Sequence, residues 1–423
     1  MFKTSVAILA AALLLAANVG TASAEITLAG DKADAKGWAF STDGFLNTFY
    51  VFEDGDARPA DVVGGTIAAG KSSGIRTGLL PGLIAFNVKA PTQKGIDITA
   101  RVGFYPQIQN AGTRTNFNSQ IDTRELWFAA DGKFGQVLAG KSLNLFQGKS
   151  ILTDMSLFGV GATGGPNSPG TTLGHIGTGY LYAQFGPNIR YTTPDMGGLK
   201  VAVSLTDPSQ IKGDTAATVK ESPGVEAEVS YATKFEGGTA QAWVNGLYQN
   251  AKRNAAPAVA ATPATPFALA TPGTAATPAL DVTALGFSAG VQVIYQGAEL
   301  MASGFSGKGL GSILLLDIDS LDAVGEERKS SGFLVQGTYK IAATDTKLGI
   351  NYGMNIMDET TNDAATRAAG ARIKEAGSLT VGIYQNITPS WQVMAEVTHT
   401  TNEWFNGGKQ DADAVAIGTF FFF

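Results

Sequence analysis

From Ile96 to Phe104 the chain alternates without a break. Ile96, Ile98, Ala100, Val102 and Phe104 fall on one face, and Asp97, Thr99, Arg101 and Gly103 on the other. The pattern recurs in Val225–Tyr231, where Glu226, Glu228 and Ser230 oppose apolar residues, and in Leu285–Gln296. It returns at Leu348–Asn355 and Trp391–Thr398. Period two is the signature of a strand whose faces meet different surroundings, whereas a helix would place apolar residues at i, i+3 and i+4.

The connections alternate between short and long. The short ones are turn-like: Pro91–Gly95, Asp131–Lys133, Pro194–Gly198, Glu236–Gly238, Gln296–Gly297, Ala343–Asp345 and Thr388–Ser390. The long ones fall near Asp54–Ser73, Asn110–Ser119, Leu145–Gln184, Asp207–Ser222, Ala251–Leu280, Gly307–Lys329, Asp358–Arg372 and Asn402–Gln410. Seven turns and eight loops predict an all-β fold, a transmembrane antiparallel β-barrel of about 16 strands with short turns at one end and long external loops at the other. A barrel of that size encloses an aqueous channel, and closure gives every backbone polar group a partner in lipid. The first strand is placed near Trp38–Phe52, after a periplasmic lead-in at Glu25–Gly37. Ala255–Ala279, built from Ala, Thr and Pro, lacks a pattern that could pack and is expected to be an extended, flexible loop.

The N-terminus adds a compartment. Lys3, the apolar run Val6–Ala17 and the small residues Ala22-Ser23-Ala24 make residues 1–24 a signal peptide, leaving 25–423 as one barrel. No later segment has the roughly 18 consecutive apolar residues of a membrane-spanning helix. Removing Lys3 leaves 29 basic against 36 acidic residues, a net charge of −7, which argues against a nucleic-acid partner. The absence of cysteine excludes disulfides, thiolate metal sites and a cysteine nucleophile. Two distant histidines, His175 and His399, give no metal signature. No cofactor is expected.

Three stretches carry a resemblance: Phe134-Gly135-Gln136-Val137-Leu138-Ala139-Gly140-Lys141, then Asn188-Ile189-Arg190-Tyr191-Thr192-Thr193-Pro194, and the terminal Phe423. On these the chain resembles the Gram-negative trimeric general porins of proteobacteria. The resemblance implies a homotrimer in outer-membrane lipid that passes small hydrophilic solutes. It also implies that Phe423 is the assembly signal read by the barrel assembly machinery, and that the third loop, about 145–184, folds into the lumen as a constriction. Two features depart from the family: Lys141 replaces the usual arginine, giving up bidentate contacts, and Phe420-Phe421-Phe422-Phe423 breaks the alternation of the last strand.

Alternation places Lys89, Arg101 and Arg190 on lumen faces, and Arg124, Lys141 and Arg76 lie in less regular strands. With Asp154, the single acid of the third loop, the pore-constriction candidates are Lys89, Arg101, Arg124, Lys141, Asp154 and Arg190. Several cations facing one loop acid lean toward anion preference. Each cation also has a plain reading, as an ordinary solvated lumen residue. Trp38, Tyr50, Trp127, Trp391 and Trp404 are expected in aromatic girdles or on lipid faces. His175 is expected to be an ordinary loop residue and His399 to lie near a strand end.

The expected function is passive diffusion through a water-filled channel. The alternatives are a substrate-selective channel with a lumen site for a small anion, and an adhesin acting through the Ala/Thr/Pro loop. No nucleophile–base motif supports an enzyme, and the chain is too short for a plugged transporter of about 22 strands.

Overall fold

The computed structural model describes residues 25–109, 121–258, 260 and 275–423. Residues 1–24, expected to be a signal peptide, and most of the Ala/Thr/Pro segment, on which the adhesin reading depends, lie outside them.

The chain opens with β1 (Ile26–Ala29), β2 (Ala39–Gly55), β3 (Gly70–Arg76), β4 (Leu83–Lys89), β5 (Asp97–Pro106), β6 (Ile121–Gly132) and β7 (Gly135–Leu143). A short helix α1 (Gly148–Thr153) follows, then β8 (Phe185–Thr192), β9 (Leu199–Thr206) and a miniature hairpin, β10 (Ile211–Lys212) and β11 (Ala216–Ala217). Next come β12 (Gly224–Phe235), β13 (Gly238–Arg253), β14 (Leu280–Tyr295), β15 (Ala298–Lys308), β16 (Lys329–Ile341) and β17 (Thr346–Met357). Helix α2 (Thr361–Thr366), β18 (Ile373–Thr388), β19 (Trp391–Trp404) and β20 (Lys409–Phe422) complete it.

The main sheet holds 18 strands, all neighbours antiparallel. β3 and β4 lie end to end along one edge of β2, and β1 continues the line of β20 along the other. Counting each of those pairs once makes 16 staves. The wall closes where β20 bonds β2, so no edge is left for lipid. Seven turns lie at one end and eight connections at the other, as the spacing predicts, but the last, expected as a long loop at Asn402–Gln410, is only the four residues 405–408, because β19 and β20 stay paired to Glu403 and Lys409. The turn Gln296-Gly297 has positive φ at both residues, 47° and 88°, which fits the right-handed twist of the strands it joins.

The alternation becomes an outside and an inside. Phe287 and Leu300 point to lipid at 60% and 69% exposure, while their neighbours Ser288 and Glu299 face inward and are buried. The lumen is filled over much of its section. One hydrophobic cluster gathers Phe45, Phe49, Phe158, Tyr384, Phe420 and Phe422, and a second gathers Phe146, Leu181, Phe305, Leu310 and Leu321.

Four other sequence expectations change. The first long strand is Ala39–Gly55, and the lead-in contains the paired β1, because Ile26 and Thr27 find free backbone partners on β2. Trp127 and Trp404 do not join a girdle. Trp127 pairs with Arg101 and so shares its inward face, and buried Trp404 donates its indole N–H to the Val63 carbonyl, 2.9 Å away, in the first external loop. Trp38, Tyr50 and Trp391 do face outward. The segment 309–328, expected as an external loop, turns into the barrel, where Leu310, Leu315, Leu316 and Leu321 are buried. Phe420 and Phe422 face inward. The alternation persists, with an apolar inner face in place of a polar one.

Candidate functional site

The long connection 144–184 leaves β7, crosses the lumen and returns to β8. Wall side chains hold its backbone. Glu226 on β12 accepts the Leu145 and Phe146 N–H groups at 2.7 and 2.9 Å. Gln336 on β16 accepts from Met155 N at 2.6 Å and donates to Thr153 O at 3.1 Å. Glu396 on β19 accepts from Val160 N and Gly161 N at 2.8 and 2.9 Å. A carboxylate paired with two amides is a strong, directional tie, since charged acceptors bond more tightly than neutral ones. The tie needs a close approach. A Cβ on Gly159 would fall 2.0 Å from Glu396 Oε1.

Another part of the wall is broken to meet the loop. Between β3 and β4 the strand is interrupted at Pro81, which has no N–H. Asn47 of β2 makes up the lost pairing: it accepts from Gly78 N at 2.9 Å and donates to the Leu80 and Pro81 carbonyls at 3.1 and 3.3 Å. The freed Leu79 N–H then bonds the Gly159 carbonyl at 2.9 Å. Arg76, buried at the end of β3, donates to the loop carbonyls of Gly165 and Gly170.

Asp154 is at the centre of the loop. Its carboxylate accepts from Tyr180 Oη at 2.7 Å, Ser156 N at 2.9 Å and Asn351 Nδ2 of β17 at 3.0 Å, with His175 Nδ1 at 3.5 Å. Burial pushes this carboxyl up, but the His175 ring and the bonds from His175, Ser156 and Tyr180 outweigh it and hold the group below its ordinary value. Asp154 is therefore turned toward β17, away from the basic wall it was expected to face. His175 is fully buried beside it, more than an ordinary loop residue. Ser156, His175 and Asp154 meet here without the order of a catalytic triad, because Ser156 Oγ bonds Asp154 itself at 2.8 Å and all three are buried.

The remaining candidates spread over β4–β8. Arg101 uses four of its five N–H donors: Asp43 holds it through two bonds at 2.7 and 2.9 Å, Glu125 at 2.9 Å and Asn87 at 2.8 Å. Arg124 is brought inward by a bulge. Gly103 pairs with Glu125 and Phe104 with Thr123, so Arg124 is the extra residue and both it and Glu125 turn to the lumen. Its guanidinium bonds Asp122 at 2.9 Å and Tyr182 Oη of the inserted loop at 3.4 Å, and lies 5.3 Å from the Tyr105 ring centre. Lys141, expected at the constriction, pairs with outward Leu126 and Pro187 and so leaves the strand on the outer face; it donates to Thr123 O at 2.7 Å and is 3.9 Å from Asp122. Arg190 donates to Leu143 O at 2.5 Å, at the root of the loop. Lys89 stands apart, near the periplasmic turn, and bonds the Lys32 carbonyl at 2.6 Å. His399 points outward and meets Asp413 at 2.8 Å. Phe423 pairs its backbone with Gly44 beside the end of β20.

Sequence reading missed Glu226, Glu396, Gln336 and Tyr182. The available signal was an acid or amide on the inner face of an alternating strand, visible at Glu226 and Glu396. Among the described residues no cluster of His, Cys, Asp and Glu suits a metal ion.

An inserted loop tied across a closed 16-stave barrel, with charged groups on the wall it leaves bare, is the layout of a constricted channel. The outer-membrane channel DcaP of Acinetobacter baumannii has a similar fold, with a TM-score of 0.63 and 14% identity over 94% of this chain and all of that one. The anion-selective porin from Comamonas acidovorans gives 0.60 and 12% over 92% and 100%. Salmonella typhi OmpF gives 0.55 and 14% over 92% and 99%. At these identities the likeness concerns the fold alone. No curated protein sequence matches the chain. The sequence model of the Gram-negative porins matches residues 7–404, nearly the whole length. That match, on a barrel of the right strand number with its third loop in the lumen, places the chain in the Gram-negative porin family, as a non-enzymatic channel of the outer membrane.

Proposed function

We propose that the channel works as a homotrimer, passes small hydrophilic solutes by passive diffusion and weakly prefers anions. The observation that carries the charge preference is the burial of Asp154. The loop 144–184 holds one acid and one base, Asp154 and Lys149, and its acid is spent on internal bonds. Across from it Arg124 has one carboxylate, Asp122, within ion-pair distance, and among the described residues Arg190 has none. Elsewhere the charges balance, with Arg101 between Asp43 and Glu125 and Lys149 3.6 Å from Glu228, so the preference is small.

Single-channel currents in a planar bilayer under a salt gradient test this. The expected result is current in steps of three with a reversal potential on the anion side. A cation-side reversal potential would overturn the charge assignment and leave the channel. Solute flux that rises linearly with concentration fits diffusion, and saturation would favour a lumen binding site.

A further inference from the structure

The inserted loop does not reach the basic wall unaided. Its returning end, Tyr180–Gln184, runs between Arg124 on β6 and the inward-turned segment 309–328. That segment joins β15 to β16, and β16 is eight staves round the 16-stave wall from β6, diametrically opposite. Three contacts fix it to the loop and wall. Tyr182 N donates to Ile313 O at 3.0 Å, Gln184 Nε2 to Leu315 O at 2.9 Å, and Asn355 Nδ2 of β17 to Ser312 O at 3.0 Å. Leu310 and Leu321 pack with Phe146 and Leu181 of the loop and with Phe305 of the wall. Outside, Arg328 anchors the segment's far end through Asp363 at 2.7 Å and Asp214 at 2.5 Å. A line of contact therefore crosses the lumen from β16 through Ile313, Tyr182 and Arg124 to β6.

We propose that residues 309–328 form a second constriction element, which sets pore width by holding Tyr182 against Arg124. Two covalently separate loops then share the narrowing. The inserted loop supplies the side chain that closes the gap, and this segment supplies its backing. Tyr182 is a positioning and size-determining residue. Its hydroxyl meets Arg124 only as long as its backbone is braced from behind.

The test measures single-channel conductance and the exclusion of graded polyethylene glycols. Three variants are compared: Tyr182→Ala, a chain shortened between residues 312 and 319, and the double variant Gln184→Ala with Asn355→Ala. Tyr182→Ala and the shortened chain should each raise conductance by roughly 1.5-fold or more and admit larger polymers. Combining them should add nothing beyond the larger single effect. The double alanine variant, which leaves the leucine cluster intact, should add fluctuating open levels even where the shortened chain does not assemble. None of the three should move the reversal potential by more than Tyr182→Phe does, which separates this proposal from the anion preference. Unchanged conductance and polymer cut-off in Tyr182→Ala would overturn it. So would a folded shortened chain or double variant that conducts like the parent.

Discussion

The ring of Phe158, near the tip of the inserted loop, meets the ring of Phe420 on the last strand edge-on, with centroids 5.5 Å apart at 71°. Phe422 and Phe45 complete the floor at 5.7 and 5.9 Å from Phe158. The run of phenylalanines at the carboxyl end is thus the seat of the inserted loop. Alternate rings face lipid, as Phe421 does, and the others support the loop. Phe158→Ala should weaken this seat by about 3–5 kcal/mol. The expected readout is a barrel that keeps its heat-modifiable shift on gels while its currents gain extra, unstable levels. Quiet currents of parental size would show that the floor carries no load.

The Asp154 knot predicts a pH response. Its carboxyl is held below the ordinary value, so the native state is stabilised above the unfolded carboxylate pKa of about 3.9. That contribution is lost as pH falls through the still lower folded value. The difference in conductance between the parent and Asp154→Asn should therefore persist from neutral pH down to about pH 4 and disappear only in stronger acid. Asp154→Asn should show the altered conductance already at neutral pH. Loss of that difference already near pH 6 would refute Asp154 as the acid-sensitive latch.

Glu396 offers a test of the loop's outer tie. Glu396→Ala strands two amides, and at about 1.5–3 kcal/mol for a bond to a charged group the tip should detach. Glu396→Gln keeps an oxygen for Val160 and Gly161 and should restore most of the parental current. Gly159→Ala should resemble Glu396→Ala, because the new methyl occupies the position of the carboxylate oxygen. Equal behaviour of the Ala and Gln variants at residue 396 would rule out the amide tie.

Charge reversal separates the wall cations. Arg124→Glu should move the reversal potential toward cations, since it leaves two acids, with Asp122, on the inner face. Lys89→Gln should leave selectivity near the parental value, because Lys89 is held at the periplasmic end by Lys32. A larger shift from Lys89 than from Arg124 would relocate the selective region to the periplasmic mouth.

Much of the barrel was legible before any coordinates. Period two is a local property, so Ile98, Val102 and Phe104 reveal their common face without knowledge of the neighbouring strand. Seven short turns and eight connections fix the strand number and put the loops at one end. The third loop's lumen position followed from the resemblance at Phe134–Lys141 and Asn188–Pro194. What local pattern could not reveal is which inward residues meet across the lumen. Arg124 turns inward because a bulge shifts register, which depends on how β5 and β6 pair. Asp154 finds Asn351, Glu396 finds Gly161, and Phe158 finds Phe420, across separations of 197, 235 and 262 residues. Segment 309–328 has the polarity of an external loop at Asp317, Asp319 and Asp322, yet its leucines share one cluster with Phe146 and Leu181 of the inserted loop and Phe305 of the wall, partners distant in sequence. The sequence by itself determined the wall, because a strand's two faces are written in adjacent residues. The filling of the wall, and with it the width and charge of the channel, was decided by tertiary structure, because burial and ion pairing depend on distance in space.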